Sequence, residues 1–312
     1  MTIEEILFRA SSNGDIMTMG DGMITDIQLI KLNELQLRDR NSRTGEEKPL
    51  TDNMREELKK LIEKRDNPEL SDICKKRLIK VYAKVFHDRE EDITSKYLEK
   101  GIEVEDDSIS TYSRVKKKFF RKNEKNMTNK FVSGTPDFFD GSEVIETAEE
   151  VIDVKSSWSL LTFLEAKMSK KVNPKYQWQG DTYLGLIPTA KTFRLAYVLS
   201  NSPAKNILDE KRKLQFMLST IDPEADPQYI ELCRKIERNH IFDMELFKTH
   251  NPGFDFHNDL AEWRWDIPYT DRVHEFVIPR DEVRISKLYK QIPICRQWIK
   301  DNLMTKPILP FS

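Results

Sequence analysis

No Cys-x-x-Cys pair occurs in this 312-residue chain, and its three cysteines, Cys74, Cys233 and Cys295, lie far apart. One chain therefore offers neither a zinc ribbon nor a four-cysteine iron–sulfur site, and free thiols in a reducing compartment are expected. The five histidines, His87, His240, His250, His257 and His274, lack zinc-like spacing. A Gly-x-x-x-x-Gly-Lys-[Ser/Thr] loop is also missing, so no nucleotide-driven motor is visible. No apolar run approaches the ~20 residues of a membrane span. The opening MTIEEILFRASS lacks the basic-then-apolar order of a secretory signal. A cytoplasmic protein with no membrane partner is expected. An excess of one charge is lacking too. The net charge is −2, so any nucleic-acid binding must use a local patch.

What remains is a charged chain, 33% Asp, Glu, Lys and Arg, whose 38% hydrophobic residues come in short clustered runs that suit a packed core. Residues 51–100 read as helices, with Leu78, Tyr82 and Val85 on one face. The segment F131-V-S-G-T-P-D-F-F-D-G141 reads as a strand ending in an Asp-Gly turn, and 150–155 returns as its partner. A helix from Tyr176 to Ile187, a strand from Phe193 to Leu199 and a strand from Arg272 to Ile278 follow. A last helix from about 281 to 303 is expected to kink or break at Pro293. This order predicts a mixed α/β core wrapped by helices. It divides into a helical part at 1–100, a core at 101–203, a helical insertion at 204–262 and a C-terminal strand and helix at 263–312.

Within the core, V151-I-D-V-K155 alternates. Val151, Asp153 and Lys155 point to one face and Ile152 and Val154 to the other. Folding the hairpin brings Asp137 beside Asp153. Two converging carboxylates repel unless a divalent cation lies between them, and a lysine beside that cation suits metal-assisted phosphodiester hydrolysis. An ordinary exposed Asp–Lys pair is the bland alternative, and Asp140 competes with Asp137. Gln179 and Tyr183 are four apart, hence on one helix face. Glu105 lies among Glu103, Asp106 and Asp107, so a solvated acidic face fits it as well as a functional role does.

Asp137, D153-V-K155 and Q179-x-x-x-Y183 together resemble the PD-(D/E)xK nuclease core with the Gln-x-x-x-Tyr extension of its RecB-like branch. Within that branch the chain is most similar to the YqaJ-like, lambda-exonuclease-type viral recombination exonucleases. K100-G-x-x-x-E105, T135-P-D137 and Ala10-Ser11 have counterparts there. The resemblance implies a restriction-endonuclease-like fold with a central mixed sheet flanked by helices. It implies Asp137, Asp153, the Val154 carbonyl and Glu105 at one or two Mg²⁺ ions, with Mn²⁺ as a substitute. Lys155 would position the water, and Gln179 and Tyr183 would orient the lysine or the phosphate. Arg9, Ser11 and Thr135 would hold a terminal 5′-phosphate. The implied partners are double-stranded DNA ends, a single-strand annealing protein and, by resemblance only, further copies of the chain in a trimer.

Residues 114–130 carry eight Lys/Arg and one Glu. Lys116, Lys117, Lys118 and Arg121, interleaved with Phe119 and Phe120, suit a phosphate backbone passing the site. An exposed hairpin is the alternative. The neighbouring segment 137–153 is acidic, which predicts a polarised surface. A catalytically inert DNA-end-binding protein and an endonuclease of the same fold remain open beside the exonuclease.

Overall fold

A computed structural model of the protein describes residues 2–18, 20, 24–67, 69–90, 104–219, 225–250 and 267–305. They form two compact units, one from residues within 1–6, 12–90 and 288–312, the other from residues within 7–11 and 91–287.

The first unit is helical. It contains α1 (Asn13–Ile16), α2 (Asp26–Thr44), α3 (Asp52–Asp66) and α4 (Asp72–His87). Hydroxyl caps start the last three: Thr25, Thr51 and Ser71 accept from the backbone N–H groups of Gln28, Met54 and Cys74. Leu32, Leu35, Leu50 and Leu61 make a small core between α2 and α3. All three cysteines are free thiols, and Cys74 Sγ lies 3.9 Å from Cys295 Sγ.

The second unit is built on two sheets. One has three short strands, β1 (Phe8–Arg9), β2 (Met127–Thr128) and β3 (Val132–Gly134), in the order β1-β3-β2. The other is a mixed sheet of β4 (Phe138–Asp140), β5 (Glu150–Ser156), β6 (Thr192–Val198) and β7 (Val273–Pro279), in that order. The central pair, β5 and β6, is parallel, and β4 and β7 flank it antiparallel. Helix α5 (Glu105–Lys116) precedes β2, and α6 (Leu160–Met168) and α7 (Pro174–Leu186) link β5 to β6. Helices α8 (Ala204–Leu218), α9 (Pro227–His240) and α10 (Met244–His250) occupy most of the expected insertion. Residues 251–262 of that segment lie outside the described residues.

The alternation of β5 decides how the layers stack. Ile152 and Val154 join Phe138, Ala196 and Val198 in a core closed by Ile109 and Tyr112 of α5 and by Phe120. Val151, Asp153 and Lys155 take the other face, which α7 covers. Asn173 caps α7 by accepting from the Lys175 N–H at 2.9 Å, and Pro174 fills its first turn. Seven residues of α7 are buried, Gln179 and Tyr183 among them, so this helix is core rather than a surface amphipath.

Two expectations need correction. The strand expected over 131–141 is two strands in different sheets. Pro136 has no N–H to continue a ladder, so β3 ends at Gly134 and β4 begins at Phe138 in the larger sheet. The Asp140-Gly141 signal opens a nine-residue connection, 141–149, rather than a tight hairpin. Secondly, α11 (Glu282–Ile299) runs through Pro293 without a break. Ile292, Cys295 and Ile299 are fully buried on either side of the proline, and their packing holds both halves.

Helix α7 sits close to the sheet because residue 180 is glycine. A Cβ there would stand 2.0 Å from Phe193 Cδ1 and 2.5 Å from its Cε1. Gly180→Ala is therefore expected to destabilise the protein by ~1–3 kcal/mol through overpacking, read as a lower denaturant midpoint. Phe119→Ala should leave the midpoint within ~0.5 kcal/mol, because that ring is 85% exposed.

Candidate active site

Phe138 pairs with Ile152, so the ladder register carried one residue further sets Asp137 opposite Asp153. Asp137 Oδ2 accepts the Val154 N–H at 2.6 Å. The backbone behind Asp137 is fixed by Asn123, whose N–H donates to the Asp137 carbonyl at 2.7 Å and whose side chain donates to the Pro136 carbonyl at 2.9 Å. Asp153 is 1% exposed. Its Oδ1 accepts from Gln179 Nε2 at 3.1 Å, and Gln179 also donates to the Tyr183 hydroxyl oxygen at 2.9 Å. The one hydroxyl proton of Tyr183 is left for the Thr135 carbonyl at 3.3 Å or Asp153 Oδ1 at 3.4 Å. Gln179 thus orients the carboxylate directly. Lys155 Nζ lies 2.5 Å from Asp153 Oδ2 as a buried ion pair.

The ring of Tyr183 reaches this position because residue 134 is glycine, where a Cβ would lie 2.8 Å from Tyr183 Cε1. The small sheet supplies the opposite wall. Parallel pairing of Phe8 with Val132 and Arg9 with Ser133 brings Arg9 and Ser11 beside Thr135. The result is a cavity of about 230 Å³, lined by Arg9, Ser11 and Thr135 on one side and by Asp137, Asp153, Lys155, Gln179 and Tyr183 on the other.

Electrostatics follow from this crowding. Burial, and then the charge of Asp153, push the Asp137 carboxyl up to about 8, against the opposing pull of Lys155 and the Val154 amide. Burial alone would lower Lys155, but the charges of Asp153 and Asp137 outweigh it and raise it, keeping the ammonium protonated. Burial, reinforced by Asp153, raises the Tyr183 phenol far above its ordinary value. The donor set is hard oxygen, two carboxylates set against one ammonium, which fits a divalent cation such as Mg²⁺.

Other predicted residues do not line this cavity. Glu105 pairs with Lys122 at 3.1 Å and reaches Asp137 only through its charge. Among the described residues no three His, Cys, Asp or Glu side chains converge as a metal cluster. Lys100 to Glu103 of the expected Lys-Gly element lie outside the described residues. Asp140 is held at the far end of β4 by Lys118 and by the Gly141 N–H. In the basic run, Lys116 pairs with Glu275, Lys118 with Asp140, and Lys125 with Glu146. Lys118 and Lys125 thus tie the basic run to the acidic segment 137–153. The run is the end of α5, a loop and then β2, which pairs antiparallel with β3. Lys117 and Arg121 remain exposed.

No known protein-family profile matches the chain, and no curated protein matches its sequence. Solved structures do. A phage-related exonuclease from Haemophilus somnus 129PT superposes with a TM-score of 0.56 at 17% identity, over 96% of each chain. An alkaline exonuclease from Laribacter hongkongensis gives 0.50 at 9% identity, over 97% of this chain and 92% of its own. The chain shares their fold. At these identities the likeness speaks to architecture alone, a restriction-endonuclease-like mixed α/β core. Sequence reading passed over Asn123 and Tyr176. Nothing local marks Asn123, but Tyr176 stands one helical turn before Gln179, with its ring 5.3 Å from Lys155 Nζ.

The raised Asp137 carries a pH signature. Its ordinary value is 3.8 and its folded value about 8, so between these the folded state binds more protons than the unfolded one. Stability without metal should therefore fall as pH rises through that window. A cation bound only by the folded state offsets the loss. Melting temperatures should show a larger gain from Mg²⁺ over chelator at about pH 8 than at about pH 6. Asp137→Asn should flatten the metal-free pH profile and abolish the gain.

Proposed function

We propose that the protein is a metal-dependent DNA exonuclease that degrades one strand of linear duplex DNA from its 5′ end, in phage-type homologous recombination. The observation that carries this reading is the buried Asp137–Asp153 pair with Lys155 ion-paired at 2.5 Å, in a fold shared with a phage-related exonuclease. Asp137, Asp153 and the Val154 carbonyl would hold the cation, which when bound supplies positive charge for a phosphate oxygen and water of lowered pKa. Lys155 stays protonated and offers its ammonium to the phosphate or to the water beside it. Gln179 and Tyr183 fix the Asp153 carboxylate, so the acid does not rotate as charge develops. A single-strand annealing protein would take up the 3′ tail, and several copies of the chain would act together.

Arg9, Ser11 and Thr135 give the polarity. A terminal 5′-phosphate carries more charge than an internal diester. Arg9 offers a planar fork of donors, and the two hydroxyls add more. These groups share a cavity with Asp153 and Lys155, so end capture and hydrolysis belong to one site.

The reading is tested on linear duplexes labelled at either end. Asp153→Asn and Lys155→Ala should each lower Mg²⁺-dependent nucleotide release by ~10²-fold or more, with the fold intact by circular dichroism. Wild-type rates in both variants would remove the assignment. Arg9→Ala should erase most of the preference for 5′-phosphorylated over 5′-hydroxyl ends while keeping residual cleavage. Equal wild-type rates on the two ends, or shortening from the 3′ terminus, would rule out the polarity. Cleavage of covalently closed circles would favour an endonuclease.

A further inference from the structure

Between the acid–lysine strand and Gln179 the chain reads K167-M-S-K-K-V-N-P-K175, four lysines in nine residues with no acid. The stretch comprises the end of α6, the loop 169–173 and the first turn of α7. Lys167, Lys170, Lys171 and Lys175 are all exposed. The loop is braced rather than slack. The Lys171 N–H donates to Ser169 Oγ, which in turn donates to the Lys171 carbonyl, while Asn173 caps α7.

Strand register sets an aromatic strip beside Lys155, and the charge of Lys167 reaches its far member, His274. Lys155, Tyr197 and His274 occupy one row across β5, β6 and β7. Phe276, two residues along β7, shares the face of His274. The Tyr176 ring lies 5.3 Å from Lys155 Nζ and 6.3 Å from the Tyr197 ring. Tyr197 to Phe276 is 6.1 Å and Phe276 to His274 is 4.9 Å. The strip therefore leads without interruption from the lysine of the active site to the edge strand. On the same face Phe193 and Leu195 are fully buried, as core packing requires. Tyr197 packs on one side against Phe163, Leu199 and Phe242, yet Tyr176, Tyr197, His274 and Phe276 are all only half-buried, so each leaves part of its ring open. Burial, and then the charge of Lys167, lower the His274 pKa, so its ring is a neutral plane at neutral pH.

We infer that this strip and its lysine rim form a track for single-stranded DNA, in which unpaired bases stack on Tyr176, Tyr197 and Phe276 while Lys170 and Lys171 hold phosphates. Rings bind base faces, which a duplex hides, so the occupant is a single strand. The inference rests on the proposed nuclease reading and deepens it: the strand to be cut reaches Lys155 already unpaired.

Binding measured in chelator separates the two, because it needs no hydrolysis. The probe is an oligothymidylate carrying one 2-aminopurine, compared with a blunt duplex of equal length. Fluorescence of the single strand should be quenched on binding. Tyr176→Ala should weaken single-strand affinity roughly tenfold, since stacking on one ring is worth ~1–3 kcal/mol, and leave duplex affinity unchanged. The double variant Lys170→Ala, Lys171→Ala alters only exposed loop positions, so folding is not at stake. It should lower the slope of log affinity against log salt by about 1.4 for the single strand. Unchanged single-strand affinity in both variants, or equal losses for single strand and duplex, would overturn the track. In either case Mg²⁺-dependent digestion by the wild type tests the nuclease separately.

Discussion

Two carboxylates share a desolvated corner between β4 and β5, and most of the second unit can be understood as what it takes to keep them there. Left alone they would repel or take up a proton, and burial first, then the charge of Asp153, pushes Asp137 upward. The protein opposes it with the Lys155 ammonium, the Val154 N–H and the Gln179 amide. Such a site is costly by itself, and a divalent cation between the two acids would offset that cost. That is the physical reason to read it as a metal site rather than as a structural ion pair.

Geometry, not residue type alone, makes the corner. The β4–β5 register aligns the acids, the buried helix α7 lays Gln179 and Tyr183 over them, and Gly180 and Gly134 permit the close approaches. The parallel β5–β6 pair then carries the same face outward into Tyr197, and β7 extends it to His274 and Phe276. One sheet face thus holds both the acids and a surface suited to the strand that would be cut.

Much of this was legible beforehand for a reason that can be stated. Asp153, Lys155, Gln179 and Tyr183 lie on regular elements, where spacing fixes the face. The choice of Asp137 over Asp140 rested on two local signals, the Asp140-Gly141 turn and the Thr135-Pro136 element before Asp137. Only the pairing of Phe138 with Ile152 places Asp137 at the site and Asp140 away from it. The break at Pro136 was hidden by apolar residues on both sides of it. Ion pairs such as Lys118–Asp140 and Lys125–Glu146 join segments whose charges read, in sequence, as two separate patches. The aromatic row was invisible because Tyr197 and His274 become neighbours only through the β6–β7 register. Pro293 misled for a different reason: packing of Ile292 and Cys295 overrides a helix breaker that propensity alone would obey.

If Asp137 and Asp153 are held ready for one divalent cation, the ion itself can be located without any assay of activity. Crystals grown with Mn²⁺ and measured near its absorption edge provide the test. An anomalous peak between the two carboxylates, within coordination distance of both and lost in Asp153→Asn, is the result predicted. No peak there, or Mn²⁺ bound by other groups while these acids stay paired with Lys155, would contradict it.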